Sequence, residues 1–166
     1  DLPVMVYDIP GRAGIPITTD TMLKLAEHKH IIANKDAKAD LWSASEVMAK
    51  SDLAYYSGDD GLNLALLAVG AVGVVSVTGH IVADRHAAMV AAMQNNDVNK
   101  AREINRTLVP ITEGLMTKAG GAIMVKAALD LLGKVGGGSL RLPLVPATAD
   151  QVKQLRTDLI AGGFSL

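Results

Sequence analysis

The feature that most constrains this chain is a regular alternation, over its first 77 residues, of short β-rich apolar runs with amphipathic helical patterns. The strand candidates are Val4 to Tyr7, Ile31 to Lys35, Ala54 to Ser57 and Gly73 to Val77. Between them, Thr18 or Thr19 can cap a helix through Glu27, Asp40 one through Lys50, and Asp59 or Asp60 one through Val69. Each offers a side-chain oxygen to the unpaired N–H groups of a first helical turn. Strands separated by helices imply crossover connections, which only a parallel sheet accommodates. The runs are nearly continuous in apolar residues rather than alternating, as strands covered on both faces require. The pattern predicts an α/β fold with four parallel strands.

Beyond residue 77 no strand signal follows. Helical periodicity covers Ile81 to Gln94, Asp97 to Lys118, Ala122 to Leu132 and Ala149 to Ala161. In the second of these, Ala101, Ile104, Leu108, Ile111 and Leu115 recur at steps of three and four and form one apolar stripe. The segment KVGGGSLRLPLVP, 134 to 146, reads as an extended connector because of its Gly and Pro content. We expect a boundary near residue 80, with the sheet in 1–80 and a helical region in 81–166.

A net charge of −1 and no dense Lys/Arg cluster remove the electrostatic footprint of a nucleic-acid or anionic-membrane binder. Small molecules or copies of the chain itself remain as partners. The chain has no cysteine, which excludes disulfides and thiolate metal sites and fits a reducing cytoplasm. The uncharged run from Gly61 to Gly79 approaches bilayer-spanning length, but Asn63 and Gly70 divide it into helix, turn and strand. The chain opens on Asp1-Leu2-Pro3 directly before a strand, and we expect it to be the later part of something longer.

In parallel α/β folds reactive side chains gather at the carboxyl ends of the strands, where the loops diverge. These ends supply Tyr7 and Asp8, then Lys35 and Asp36, then Ser57 to Asp60, then Ser76 to Thr78. A free lysine has a pKa of about 10.4, and desolvation at a strand end can lower it by several units. A neutral Lys35 amine could attack a ketone and form a Schiff base; equally, its head could reach solvent or pair with Asp36. Tyr7 could relay protons during that step or serve as an interfacial structural residue. Arg12 could bind a carboxylate bidentately or simply sit at the surface. The Ser57-Gly58-Asp59-Asp60 tetrad suits either metal ligation or the positive N-terminus of the following helix. His28, His30, His80 and His86 lack metal-site spacing, Lys126, Met116 and Met124 fall on amphipathic helices as structural residues, and the glycines 136–138 neither follow a strand nor open a helix, so they fail the context for phosphate binding.

Taken together and in order, YDIPGRAG (7–14), NKDAKADL (34–41), YYSGDDGLNL (55–64), GAVGVVSVTGHI (70–81) and LRLPLVP (140–146) resemble the dihydrodipicolinate synthase family, its actinobacterial members above all. These are pyruvate-dependent relatives of class I aldolases and N-acetylneuraminate lyases, built on a (β/α)8 TIM barrel with a C-terminal helical domain. The resemblance implies that 1–80 hold barrel strands five to eight and that 81–166 hold the last barrel helix and the helical domain. It implies Lys35 as the Schiff-base lysine, Tyr7 as the proton relay, Arg12 as the group for the aldehyde's carboxylate, and Gly58 and Val75 as backbone lining of the pocket. It implies pyruvate and aspartate semialdehyde as substrates, a covalent imine in place of any cofactor or metal, and a cytoplasmic homotetramer. Arginine at position 12 separates this pattern from the neuraminate lyases, which usually lack it.

A complete barrel of this kind runs to about 250 residues. The family's Thr-Thr pair for pyruvate's carboxylate, the tyrosine lent by a neighbouring subunit and the lysine feedback site of some members belong to the first half. The missing N-terminal half-barrel is therefore an expected partner, and this chain alone is expected to be inactive. A sugar-acid aldolase of the same superfamily and a catalytically silent half-barrel assembly module are the alternatives.

Overall fold

The computed structural model describes residues 1–166 and divides them into two compact units, Asp1–Ser76 and Val77–Leu166. The first contains strand β1 (Val4–Asp8), a four-residue helix α1 (Pro10–Ala13), α2 (Thr19–Ala26), β2 (Ile31–Asp36), α3 (Leu41–Lys50), β3 (Ala54–Ser57), α4 (Asn63–Val69) and β4 (Gly73–Val74). The strands form one parallel sheet in the order β1-β2-β3-β4. The alternation in the sequence thus gives pairing between strands adjacent in the chain, with a helical crossover between each pair.

Register divides the side chains between two faces, since residues paired across parallel strands project the same way. One face carries Met5 and Tyr7 of β1, Ala33 and Lys35 of β2, and Ala54 and Tyr56 of β3. The other carries Val6, Asp8, Asn34, Asp36, Tyr55 and Ser57. The helices cover this second face, which buries Asp8, Asn34, Asp36, Tyr55 and Ser57. The first face stays partly open, with Met5 and Tyr7 both exposed. Covering on both faces, expected from the apolar runs, is therefore met on one side only.

Caps set the helix starts. Thr18 accepts from the Thr21 N–H at 3.3 Å for α2, and Asp40 from the Ser43 N–H at 3.0 Å for α3; each such cap is worth about 1 kcal/mol. The expectation for α4 needs correction, because it begins at Asn63 with Leu62 at the cap position and no side-chain cap. Asp59 instead closes a local turn on the Gly61 N–H at 2.8 Å, and Asp60 takes the Asn63 side-chain amide at 3.1 Å. Two further differences concern β4, whose ladder covers two residues rather than five, and α1, a helix that the strand and cap signals did not predict. Pro10 starts α1 and Gly14, at φ 87°, ends it in the left-handed conformation.

The second unit contains α5 (Gly79–Gln94), α6 (Val98–Met116), α7 (Gly121–Leu131) and α8 (Ala149–Ala161). Within α5 the backbone leaves helical geometry at Val82. The stripe on α6 buries Ala101, Leu108, Ile111 and Leu115, and a fully buried leucine or isoleucine contributes about 1.5–3 kcal/mol. Gly114 lets α8 approach α6: a Cβ there would stand 2.8 Å from the Asp158 Cβ. Asp97 caps α6 on the Lys100 N–H, and Thr148 with Gln151 forms a reciprocal capping box on α8. No helix is long and apolar enough to cross a membrane.

Candidate active site

Pairing in register aligns Tyr7 of β1 with Lys35 of β2, and Lys35 with Tyr56 of β3. All three lie near the carboxyl ends of their strands, on the open face. The Lys35 Nζ lies 3.8 Å from the centroid of the Tyr7 ring, within cation–π range. The pleat sends Asp36 to the opposite face, where its carboxylate accepts from the Lys38 N–H at 2.7 Å and from the Tyr55 hydroxyl. The pairing of Lys35 with Asp36 that the sequence left open is not made.

The rest of the lysine is confined from the side. A Cβ on Gly58 would stand 2.8 Å from both Cγ and Cε of Lys35, so the absence of a side chain at 58 makes room for the lysine stem. Gly73 does the same for the next aromatic in the row, since a Cβ there would meet the Tyr56 ring at 3.0 Å. The Gly58 N–H donates to the Asp36 carbonyl at 2.7 Å, and the Val75 N–H to the Ser57 carbonyl at 2.7 Å. Neither N–H is available to a ligand, which leaves the carbonyl oxygens of these two residues. Arg12 is exposed on α1, just past β1.

Behind this row lies a buried polar layer that the sequence reading passed over. Tyr55 donates to Asp36. Burial, followed by that hydrogen bond and the nearby Asp36 charge, pushes the Tyr55 hydroxyl far above the ordinary phenol range. Asp8 accepts from the Ile17 N–H at 3.1 Å and faces the Lys38 ammonium at 3.4 Å. The available signal was positional: acids and amides at every second residue of otherwise apolar strands mark one face.

The remaining candidates take other roles. Asp60 accepts from Ser76 as well as Asn63, so the acidic tetrad braces the loop before α4. His86 bonds Thr78 at 2.7 Å in the buried interior of the second unit, His80 Nδ1 lies 2.9 Å from the Val77 carbonyl, and the rings of His28 and His30 stand 5.5 Å apart. No group of three or more His, Asp or Glu residues is placed to hold a metal ion. Lys126 donates to the Ser139 carbonyl and so ties α7 to the connector. A cavity of about 510 Å³ lies at the amino ends of β2 and β3, lined by Ile31, Ile32 and Leu53 with Glu27, Lys50 and Asp52; the Lys35 row is at the other end.

The sequence profile of the dihydrodipicolinate synthetase family matches residues 1–161. A 4-hydroxy-tetrahydrodipicolinate synthase of Streptomyces coelicolor is 54% identical over 165 residues, covering 99% of this chain and 54% of its own. The dihydrodipicolinate synthase of Cyanidioschyzon merolae, solved with lysine bound, superposes with a TM-score of 0.91 at 40% identity over 98% of this chain and 55% of its own. The chloride-inhibited enzyme of Acinetobacter baumannii, solved in complex with pyruvate, superposes at 0.90 with 31% identity over 98% and 56%. This chain spans about half the length of the relatives it matches, and its four parallel strands make up about half of their (β/α)8 barrel. With a family profile matched along nearly its whole length, the chain belongs to the dihydrodipicolinate synthetase family.

Proposed function

We propose that this chain is the C-terminal half of a synthase that condenses pyruvate with aspartate semialdehyde to 4-hydroxy-tetrahydrodipicolinate, on the route to diaminopimelate and lysine. In this reading residues 1–80 supply strands five to eight of the barrel and 81–166 the last barrel helix and a helical domain. The other half-barrel completes the pocket, and the whole enzyme is a cytoplasmic homo-oligomer. The observation that carries the reading is the Lys35 Nζ held 3.8 Å from the centre of the Tyr7 ring at adjacent strand ends.

The chemistry follows from these groups. The lone pair of Lys35 Nζ attacks the ketone carbon of pyruvate, a proton passes from nitrogen to oxygen by way of the Tyr7 hydroxyl, and water leaves to give the imine. The protonated imine carries its positive charge on the nitrogen that now lies over the Tyr7 ring, so the same ring face favours it. That charge draws in the electron pair left when the pyruvate methyl group gives a proton to the water released in imine formation, a proton that returns to the aldehyde oxygen in the next step, and no metal is needed as electron sink. The enamine carbon adds to the aldehyde, whose carboxylate is held by Arg12 in a two-pronged pairing. The semialdehyde's amine then displaces Lys35 and closes the ring. Gly58 and Val75 line the site through their carbonyls.

The test is borohydride reduction of the complete enzyme with pyruvate, followed by peptide mass analysis. The expected adduct is on Lys35, and Lys35→Ala should abolish both adduct and turnover. An adduct on Lys126, or continued turnover of the variant, refutes the reading.

A further inference from the structure

Lys38 follows the strand end by two residues, and its side chain is only 11% exposed. Burying an ammonium is costly unless each N–H finds an oxygen. Three oxygens surround Lys38 Nζ: the Ile17 carbonyl at 3.1 Å and the Ser43 hydroxyl at 2.8 Å accept hydrogen bonds, and Asp8 Oδ2 at 3.4 Å forms an ion pair. Asp8 is 2% exposed, and its Oδ2 accepts no hydrogen bond, which makes Lys38 its counter-charge. The other Asp8 oxygen accepts from the Ile17 N–H at 3.1 Å. Both peptide groups of Ile17 are therefore held, the N–H by the carboxylate and the carbonyl by the ammonium.

This clamp has a particular address. The segment between Asp8 and Ile17 contains α1 and Arg12, and inside it the backbone bonds are purely local: Arg12 and Ala13 N–H to the Ile9 carbonyl, Gly14 N–H to Pro10. Its near end is fixed by β1 and its far end by the Asp8–Lys38 pair. Ser43 bonds Thr19 at 2.8 Å and extends the clamp to the first turns of α2 and α3. Tyr7 and Lys35 project from the other face of the sheet and are held by the β1-β2-β3 ladder.

We infer that Lys38 is a positioning residue which, through Ile17 and Asp8, fixes the segment that carries Arg12, and so sets affinity for the carboxylate-bearing aldehyde while leaving pyruvate capture alone. The inference rests on the roles proposed above for Arg12 and Lys35. A misplaced binding group of this kind costs apparent affinity without touching a step it does not serve.

The experiment uses the complete enzyme that contains this chain and compares wild type, Lys38→Met, Arg12→Ala and the double variant. Lys38→Met should raise the KM for aspartate semialdehyde about tenfold or more, with pyruvate KM and the rate of borohydride trapping on Lys35 within about twofold. In the Arg12→Ala background the same substitution should add nothing, because the group it positions is gone. Should Lys38→Met fail to fold, Ser43→Ala removes one of the three oxygens and is expected to raise aldehyde KM by about two- to fivefold, again only when Arg12 is present. An unchanged aldehyde KM, an equal rise for both substrates, or an undiminished effect without Arg12 overturns the inference. Wild-type trapping is read in the same samples: its absence overturns the functional reading and this inference with it, whereas trapping with an unchanged aldehyde KM overturns the inference alone.

Discussion

A β-carbon at Gly58 would stand 2.8 Å from Cγ and Cε of Lys35 and 3.1 Å from the Asp36 carbonyl oxygen. Cγ is near the root of the side chain and the carbonyl belongs to the backbone, so neither can swing aside cheaply. Gly58→Ala should therefore displace the Lys35 amine from the Tyr7 ring. An error of about 1 Å at a reacting atom can cost roughly 100-fold in rate. The expected result in the complete enzyme is a 10- to 100-fold slower formation of the pyruvate adduct, about the size such a displacement allows, with unchanged circular dichroism. Adduct formation at the wild-type rate would mean that the lysine stem is not confined by this glycine.

Tyr7 offers both a ring face and a hydroxyl, and one substitution separates them. Tyr7→Phe keeps the ring against Nζ and removes the proton relay. General acid–base assistance is worth about 100- to 10,000-fold, so the imine should form at least about 100-fold more slowly, while the lysine stays in place. Tyr7→Leu removes the ring as well and should lower the rate further. Equal rates for wild type and Tyr7→Phe, measured by single-turnover trapping, would remove the hydroxyl from the mechanism.

The sequence was most legible where periodicity and position coincide. Continuous apolar runs located all four strands, and strand-end position put Tyr7 and Lys35 among a longer set of candidates; the register sets these two side by side. It was less legible where geometry depends on a neighbour. The full extent of β4 could not be read from Gly73 to Val77, because a ladder ends where its partner ends and β3 stops at Ser57. Asp59 and Asp60 have the composition of helix caps, but loop contacts to Gly61, Asn63 and Ser76 claim them first. The buried layer of Asp8, Asp36, Lys38 and Tyr55 was hidden for a related reason: only pairing shows which charges meet on the covered face. The choice of Lys35, Tyr7 and Arg12 over their structural alternatives, and the roles of Gly58 and Val75, came from likeness to a family rather than from any local pattern.

Ala39, in the turn between β2 and α3, has φ 67°. An L-residue with a Cβ is strained there by about 1–2 kcal/mol, which Gly avoids at the cost of a more flexible unfolded chain. Ala39→Gly should raise stability by about 0.5–1 kcal/mol, and Ala39→Val should lower it, since β-branching worsens the left-handed conformation. Denaturant unfolding of the complete enzyme measures both. A loss on introducing glycine would show that the turn gains more from the methyl group than it loses in strain.

Tyr55 gives the fold a dependence on alkaline pH whose sign can be worked out. Its hydroxyl donates to the buried Asp36 carboxylate, and burial with that contact raises its pKa far above the value of an unfolded tyrosine, about 10. Below pH 10 both states hold the proton and the contribution is fully present. As pH climbs past 10 the unfolded chain releases the proton and the folded chain keeps it, so stability falls with rising pH. Tyr55→Phe removes this titration. At pH 7 it should cost about 1–3 kcal/mol, because Asp36 loses a buried donor, and the gap between variant and wild type should narrow as pH climbs from 10 to 11. Unfolding free energies measured at pH 7, 10 and 11 test this directly: a gap that stays constant or widens would mean that the folded protein ionises Tyr55 as readily as the unfolded chain does.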